Sequence, residues 1–232
     1  MIKVIALAAS VATLMGMNAM LPRSLDQMKA EEAPGHSAQE IALPRPALKG
    51  PMSLEETLAR RRSVREFASK ALTLPELAQL LWAAQGITER ARGLRTAPSA
   101  GALYPLELYV ATPDGFYFYE PGAHRLSRRS DRDLRGELWK VALRQDSLRE
   151  APAVFVIAAV YERTARSYGQ ARSPRYVHLE AGHAAQNLLL QAVALGLGAV
   201  PIGAFDDAAL QKVLSLGRAQ QPLYLIPVGH PR

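Results

Sequence analysis

The feature that constrains this chain most is the apolar run at residues 151–160, APAVFVIAAV, which carries no charged side chain. Val154, Val156 and Ile157 are β-branched and favour an extended strand. A strand that is apolar on both faces has to be buried on both faces. The sequence therefore predicts a sheet that is covered on either side by other elements.

Helical and extended patterns alternate through the rest of the chain. Capping-box sequences at residues 53–56 (SLEE) and 73–76 (TLPE) predict two helix starts. Apolar residues at helical spacing predict a long helix over residues 173–195. Shorter helices are predicted over residues 131–143 and 208–214, and strands over residues 106–111, 115–119, 200–202 and 223–228. This interleaving predicts an α+β sandwich in which helices cover a central sheet.

The N-terminal part differs from the rest. Residues 1–20 combine a basic start, an apolar stretch and small residues suited to cleavage, a pattern typical of a secretory signal peptide or N-terminal anchor. Residues 21–52 are interrupted by proline and glycine, which predicts a Pro-rich tether before a folded domain over residues 53–232. A functional signal would export the protein to the periplasm or cell envelope, whereas a non-functional one would leave it in the cytoplasm.

The composition excludes several kinds of site. The chain has no cysteine, so it contains no disulfide, thiolate ligand or cysteine nucleophile. The five histidines are scattered, and the spacing of His178 and His183 is poor for a metal site on one helical face, so we expect no metal. The net charge of +7 is not accompanied by a nucleic-acid-binding motif, and we interpret it as an arginine-rich exposed surface.

An arginine cluster lies within residues 60–65, RRRSVR. A guanidinium group can pair with phosphate oxygens through two parallel hydrogen bonds, and a serine hydroxyl adds a neutral donor. Arg61, Arg62, Ser63 and Arg65 therefore form a candidate phosphate-binding cluster. Taken alone, such a run is more often a solvated helix end, where cations are favoured.

A second segment, APSAGALYP, is rich in small residues. Pro98, Ser99, Ala100 and Gly101 leave room for a flat ring close to the backbone, where N–H groups can donate hydrogen bonds to it. A plain turn leading into the next strand explains the same residues equally well.

A third segment, GAVPIGAF, is a short apolar strand that ends in small residues. The backbone groups of Ile202, Gly203 and Ala204 would be free to approach a ligand there. This motif is weak by itself.

Together and in this order, the segments resemble the FMN-binding nitroreductase family. The resemblance is carried by RRRSVREF, LTLPELAQLLWAAQG, APSAGALYPLELYV, HLEAGHAAQNLLLQAVALGLGAVPIGAF and LIPVGHP, which span about residue 53 to the C-terminus. It is strongest to the azoline-oxidising (SagB/ThcOx-type) dehydrogenase branch. The resemblance implies a nitroreductase-like three-layer sandwich with a central mixed sheet, assembled as a homodimer that binds FMN non-covalently at its interface.

The resemblance also implies a role for each segment. Arg61, Arg62, Ser63 and Arg65 would bind the FMN phosphate. The second segment would lie along the flavin ring, and the partner chain could be the one that supplies it. The third segment would face the ring near its reactive nitrogen. The cofactor-binding residues implied for these two segments are Pro98, Ser99, Ala100, Gly101, Ile202, Gly203 and Ala204.

The resemblance predicts an FMN-dependent oxidoreductase that transfers hydride between a reductant such as NAD(P)H and a small organic acceptor. A nicotinamide would bind transiently over the flavin, since no Gly-x-Gly-x-x-Gly fingerprint follows a strand. Two alternatives remain open: a SagB/ThcOx-type dehydrogenase of modified peptides, and a non-catalytic envelope protein that binds flavin or another anion.

No catalytic acid or base is assigned. His183 could face the flavin pocket or the dimer seam, although a structural role is commoner for such a histidine. Tyr104 and Tyr168 are candidate proton donors that nothing distinguishes from the other tyrosines. Arg232 could add one basic group to the phosphate site.

Overall fold

A computed structural model describes residues 39–232 of the protein. The predicted signal peptide, residues 1–20, and the first part of the predicted tether, residues 21–38, lie outside the described residues.

A seven-stranded sheet forms the centre of the domain, in the order β1-β6-β5-β4-β7-β9-β8. Every pair of neighbouring strands is antiparallel, and a parallel bridge between Ser63 and Ala199 adds a mixed element at the β8 edge. The strands are β1 Glu40–Ala42, β4 Leu106–Thr112, β5 Gly115–Glu120, β6 Arg125–Ser130, β7 Ala153–Val160, β8 Gly198–Ala199 and β9 Gln220–Gly229. Strands β2 Ile87–Glu89 and β3 Leu94–Arg95 form a separate two-stranded ribbon.

The helices are α1 Leu54–Arg60, α2 Leu74–Gln85, α3 Arg135–Val141, α4 Ser147–Glu150, α5 Tyr161–Tyr168, α6 Ser173–Ala194 and α7 Asp207–Val213. The capping box at α2 is complete, since Thr73 accepts from the Glu76 backbone and Glu76 accepts from the Thr73 backbone. At α1 the side chain of Ser53 accepts from the Glu56 backbone, while the Glu56 carboxylate pairs with Arg60. Both predicted helix starts are therefore confirmed.

Strand β7 divides the core into two apolar layers. Phe155 and Ile157 face a cluster that includes residues of α2 and α6, such as Leu81 and Leu188. Val154 and Val156 face a second cluster that includes residues of α3, α4 and α7. All but the last residue of β7 are buried, which confirms the prediction that this strand is covered on both faces and that the fold is an α+β three-layer sandwich.

Residues 39–52, the described part of the predicted tether, lie against the domain. Strand β1 pairs with β6, and the side chain of Gln79 forms two hydrogen bonds with the backbone of Ala47, at 2.8 and 3.1 Å. The proposed boundary near residue 53 therefore marks the first helix, while contacts with the domain begin earlier in the chain.

Several element bounds differ from the expectation. The predicted helix over residues 131–143 is limited to Arg135–Val141, and helix α5 was not predicted. Strand β6, RLSRRS, was also not predicted, because its polar sequence has little apolar alternation and it forms by pairing with β5 and β1 on its two sides. The strand predicted at residues 200–202 is displaced to Gly198–Ala199, and only Ile202 of that range bridges to β9.

Within residues 39–232, none of the helices has both the length and the apolar character needed to cross a membrane.

Candidate functional site

The arginine cluster lies where α1 ends. Arg62 Nη1 donates to the carbonyl oxygens of Ala59 and Arg61 at 2.9 and 2.7 Å, so its guanidinium closes the helix C-terminus. Within the described part of the chain, no carboxylate lies at ion-pair distance from Arg61 or Arg65. These two guanidinium groups are therefore free to pair with an anion, whereas Arg62 already has a structural role.

Backbone pairing joins the arginine cluster to the third segment. Ser63 forms a parallel bridge with Ala199, and the Val64 N–H donates to the Ala199 carbonyl at 3.1 Å. The approach is close enough to require glycine at position 198, because a Cβ there would lie 2.6 Å from the Val64 side chain. One chain thus brings two of the three predicted segments together.

The third segment leaves the sheet after one more pair of hydrogen bonds. Ile202 exchanges two backbone hydrogen bonds with Leu225 of β9, at 2.8 and 3.0 Å. Gly203 and Ala204 follow and are exposed, and a Cβ at Gly203 would meet nothing within 4 Å. Asp206 then caps α7 by accepting from the Ala209 backbone. The backbone at residues 203–204 is therefore open to a ligand.

The second segment forms a tight turn before β4. Residues Ala100–Ala102 make one turn of 3-10 helix, with Gly101 at φ 62°. Ala102 and Tyr104 also have positive φ, at 53° and 47°, a backbone conformation that residues with a Cβ rarely adopt. The Ser99 hydroxyl closes the turn by accepting from the Tyr104 N–H at 2.9 Å.

This turn and the arginine cluster lie at opposite ends of the central strands. Ala199 is level with Val228 and hence with Ala153, the first residue of β7, whereas the last residue, Val160, donates to the Pro105 carbonyl at 2.9 Å. The separation is seven residues along β7, roughly 23 Å at about 3.3 Å per residue. Within one chain, the second predicted segment therefore does not meet the arginine cluster.

A buried polar cluster lies beneath the turn. Glu180 of α6 is 2% exposed, and Gln85 Nε2 of α2 approaches its carboxylate at 3.5 Å. Arg95 Nη1 donates to Gln85 Oε1 at 3.1 Å, and the Arg95 guanidinium stacks 4.5 Å above the centre of the Tyr104 ring. The Tyr104 hydroxyl in turn accepts from the Arg95 backbone at 3.0 Å. These contacts connect α2, β3, α6 and the turn.

Burial dominates the electrostatics of this cluster. It raises the pKa of Glu180 to about 7, against the opposing effects of the Ser99 hydroxyl, the Arg95 charge and the Gln85 amide. Burial also lowers the pKa of Arg95, while the nearby Glu180 acts in the opposite direction. Glu180 therefore exchanges its proton close to neutral pH.

Three residues left unassigned by the sequence lie as follows. His183 is on an exposed position of α6. The Tyr168 hydroxyl lies near the turn, 3.2 Å from the point where a Cβ at Gly101 would be. Arg232 lies beside the chain that follows the arginine cluster, since its N–H donates to the Glu66 carbonyl, but its guanidinium approaches Glu150 at 3.9 Å.

The family model described as the nitroreductase family matches residues 58–230 of the chain. The chain belongs to the nitroreductase family. A "putative nitroreductase" of Methanocaldococcus jannaschii is 48% identical over 184 residues, which cover 77% of this chain and 91% of that protein. The family prediction made from the sequence segments is therefore confirmed, and membership supports a general oxidoreductase role.

Solved structures share the nitroreductase fold. The crystal structure of a "putative nitroreductase" from Ralstonia eutropha has a TM-score of 0.78 and 34% identity, and covers 86% of this chain and 93% of that one. The NADPH:FMN oxidoreductase from Vibrio harveyi, in a complex with NAD+, has a TM-score of 0.59 at 23% identity, over 77% of this chain and 68% of that one. At this identity the second likeness concerns the fold alone.

Sequence reasoning missed Glu180 and its neighbours. A signal for it exists, because Glu180 falls on the helical face defined by Val177, Ala181, Ala184 and Leu188, all of which are buried. A carboxylate on an apolar helix face costs free energy unless it has partners, so it marks a position to examine.

Proposed function

We propose that the protein is an FMN-dependent oxidoreductase that transfers hydride between NAD(P)H and a small organic acceptor. The observation that carries the proposal is the pairing of Ser63 with Ala199, which joins the arginine cluster to the segment that leads to the open backbone at Gly203. Guanidinium groups suit a phosphate, and an exposed backbone without side chains suits a flat ring. The two ends of FMN would thus find matching chemistry in two segments that pair with each other.

The residues present fit the cofactor. Arg61 and Arg65 would pair with the phosphate, and Ser63 would add a hydroxyl donor. The backbone at Gly203 and Ala204 would lie against the ring, where a donor tunes the electronics of the flavin. When bound, FMN would supply the hydride chemistry, and the protein would supply binding, orientation and protection from water.

Arg62 is expected to contribute less than the sequence alone suggests. Its guanidinium already donates to two carbonyl oxygens at the end of α1. We propose that it orients the cluster, and that Arg61 and Arg65 carry most of the phosphate affinity.

We further propose that the complete site needs two copies of the chain. The turn at Pro98, Ser99, Ala100 and Gly101 lies at the other end of β7, about 23 Å along the strand from the arginine cluster. A symmetric dimer presents the same surface twice, so the turn of one copy can meet the arginine cluster of the other. This arrangement would place all three segments around each of two equivalent cofactors.

NAD(P)H is proposed as the reductant on two grounds. A protein of the same fold is an NADPH:FMN oxidoreductase by its name. The chain itself has no dinucleotide fingerprint, so the nicotinamide would bind over the flavin and leave before the acceptor enters. Export to the cell envelope remains a proposal that rests on residues 1–20.

The spectrum of the purified protein tests the cofactor and the reaction. We expect a yellow protein that holds or takes up FMN and is bleached by NADPH or NADH, followed by reoxidation with a quinone or nitroaromatic acceptor. Bleaching by an azoline-containing peptide, and not by nicotinamides, would favour the peptide dehydrogenase. Flavin that is bound but never reduced would favour the non-catalytic binder, and a colourless protein that takes up no FMN would overturn the flavin proposal.

Complementation between two defective variants tests the shared site. Arg61→Ala/Arg65→Ala damages the arginine cluster and Gly101→Val damages the turn, so neither homodimer has an intact site. If each site draws on both chains, an equal mixture regains about a quarter of the wild-type sites after subunit exchange, because each mixed dimer has one intact site. Absence of recovery in exchanged, mixed dimers would mean that each site belongs to one chain.

A further inference from the structure

Glu180 of α6 carries a buried carboxylate. Glu180 is 2% exposed, and no lysine or arginine in the described chain forms an ion pair with it. Burying an ionised carboxylate without compensation costs several kcal/mol or more, so it needs hydrogen-bond donors. Its hydrogen-bond partner is the Gln85 amide, at 3.5 Å, and Gln85 in turn accepts from Arg95 at 3.1 Å. Arg95 contacts Tyr104, which ends the turn that is proposed to contact the flavin ring.

The Ser99 hydroxyl closes the backbone of the turn. Its oxygen accepts from the Tyr104 N–H at 2.9 Å. This backbone is strained, since Ala102 and Tyr104 both have positive φ. Each such residue is strained and persists only where its surroundings hold it in place.

Arg95 supports the same turn from its other side. It contacts Tyr104 twice, through the backbone hydrogen bond at 3.0 Å and the stacked guanidinium, and it contacts Gln85 at 3.1 Å. Its Nε is buried without a hydrogen-bond partner in the described chain. A buried nitrogen without a partner is unfavourable, so the contacts with Gln85 and Tyr104 must hold the guanidinium in place.

We propose that Glu180 is a positioning residue for flavin binding, which acts through Gln85 and Arg95 to hold the 98–104 turn in its strained conformation. The inference deepens the proposed function and rests on it. Glu180 would not contact the cofactor. It would set the conformation of the turn that does.

Protonation of Glu180 then changes how firmly the turn is held. The carboxylate accepts a charge-assisted hydrogen bond from the Gln85 amide, which is stronger than the bond that the neutral acid accepts. Arg95 is the charged group that faces Glu180, and Tyr104, Tyr119 and Arg163 surround Arg95 in turn. Because burial raises the pKa of Glu180 to about 7, the change falls between mildly acidic and mildly alkaline pH.

The test compares FMN affinity in the wild type and Glu180→Gln between pH 5.5 and 8.5. Glutamine keeps a neutral acceptor of the same size, so the two proteins should bind FMN alike at pH 5.5. Above pH 8 the wild type should bind about fivefold more tightly, the difference of roughly 1 kcal/mol between charged and neutral hydrogen bonds. The ratio of the two affinities also cancels the titration of the FMN phosphate itself.

Glu162→Gln serves as the matched control. Glu162 is an exposed carboxylate on α5, paired with Gln170 and Arg166, and its variant should follow the wild type at every pH. A wild-type to Glu180→Gln ratio that does not change with pH would overturn the proposal.

A measurement on the flavin-free protein separates this inference from the proposed function. Glu180→Ala should speed hydrogen exchange of the Tyr104 N–H at least severalfold and leave exchange of the Val64 N–H unchanged. Unchanged protection at Tyr104 would overturn the positioning role, whatever the protein binds. Faster exchange at Tyr104 in Glu180→Ala, together with a wild type that takes up no FMN, would contradict the flavin function and keep the role of Glu180 in holding the turn.

Discussion

The two ends of the central sheet are built in different ways. The anchor end, residues 61–65 with residues 198–199, relies on solvent-accessible arginines, backbone pairing and a glycine that admits a close approach. The loop end, residues 98–104 above Glu180, relies on buried polar side chains and a strained turn. Exposed charge can bind an anion with little effect on the fold, whereas a buried polar cluster links the fold to pH. The anchor end should therefore govern the affinity for FMN, and the loop end should govern how that affinity depends on pH.

The largest effect is expected at Gly198. Gly198→Val would set a Cβ 2.6 Å from the Val64 side chain and separate the strands that join Ser63 to Ala199. Overpacking of this kind typically costs about 1–3 kcal/mol and sometimes more. We expect the free energy of unfolding to fall by at least that much, and FMN binding to be lost, in denaturation and fluorescence titrations. Gly122→Val is the control, since a Cβ there meets nothing within 4 Å; equal losses in both variants would contradict the close approach.

The next effect concerns the pH dependence of stability at the loop end. The folded pKa of Glu180, about 7, lies above its ordinary value of 4.5. The folded protein thus binds more protons than the unfolded chain between these values, and stability falls as pH rises through them, by on the order of 3 kcal/mol. Urea denaturation from pH 4.5 to 8 should show this fall in the wild type and a smaller one in Glu180→Gln. Parallel profiles for the two proteins would refute the assignment.

A smaller effect is expected from single arginines at the anchor end. Arg65→Ala or Arg61→Ala should weaken FMN binding by roughly 1–3 kcal/mol, the range for hydrogen bonds to charged groups, without lowering thermal stability. Arg132→Ala removes an exposed arginine that pairs with Glu137 and should leave affinity unchanged. Wild-type affinity in both Arg61 and Arg65 variants would reduce the cluster to a solvated surface.

The comparison also explains what the sequence could predict. The arginine cluster and the small residues Gly203 and Ala204 are local sequence patterns. Their chemistry does not depend on distant residues. The covering of β7 on both faces follows from its apolar composition alone, and the structure confirms it. The family, too, was predictable, because several short segments occur in a fixed order.

The loop end could not be predicted in the same way. Gln85, Arg95 and Glu180 come from three elements, and only tertiary packing brings them together. Strand β6 was missed for a related reason, since its polar sequence is stabilised by the strands on either side. The separation of the turn from the arginine cluster depends on strand register, which local patterns at either end do not contain.

The smallest effect should come from the cap of α1, the short helix that leads into the arginine cluster. Ser53→Ala removes the hydroxyl that accepts from the Glu56 N–H at 3.1 Å, at a cost of about 0.5–2 kcal/mol. Because α1 has only seven residues and the cluster follows directly, fraying should spread to Arg61 and weaken FMN binding, though less than Arg65→Ala does. Thr73→Ala is the matched control, since it uncaps α2, which leads away from the cluster. Thr73→Ala should lower stability by a similar amount and leave the affinity for FMN intact. Equal losses of affinity in both variants would mean that affinity follows global stability and not the local order of the anchor end.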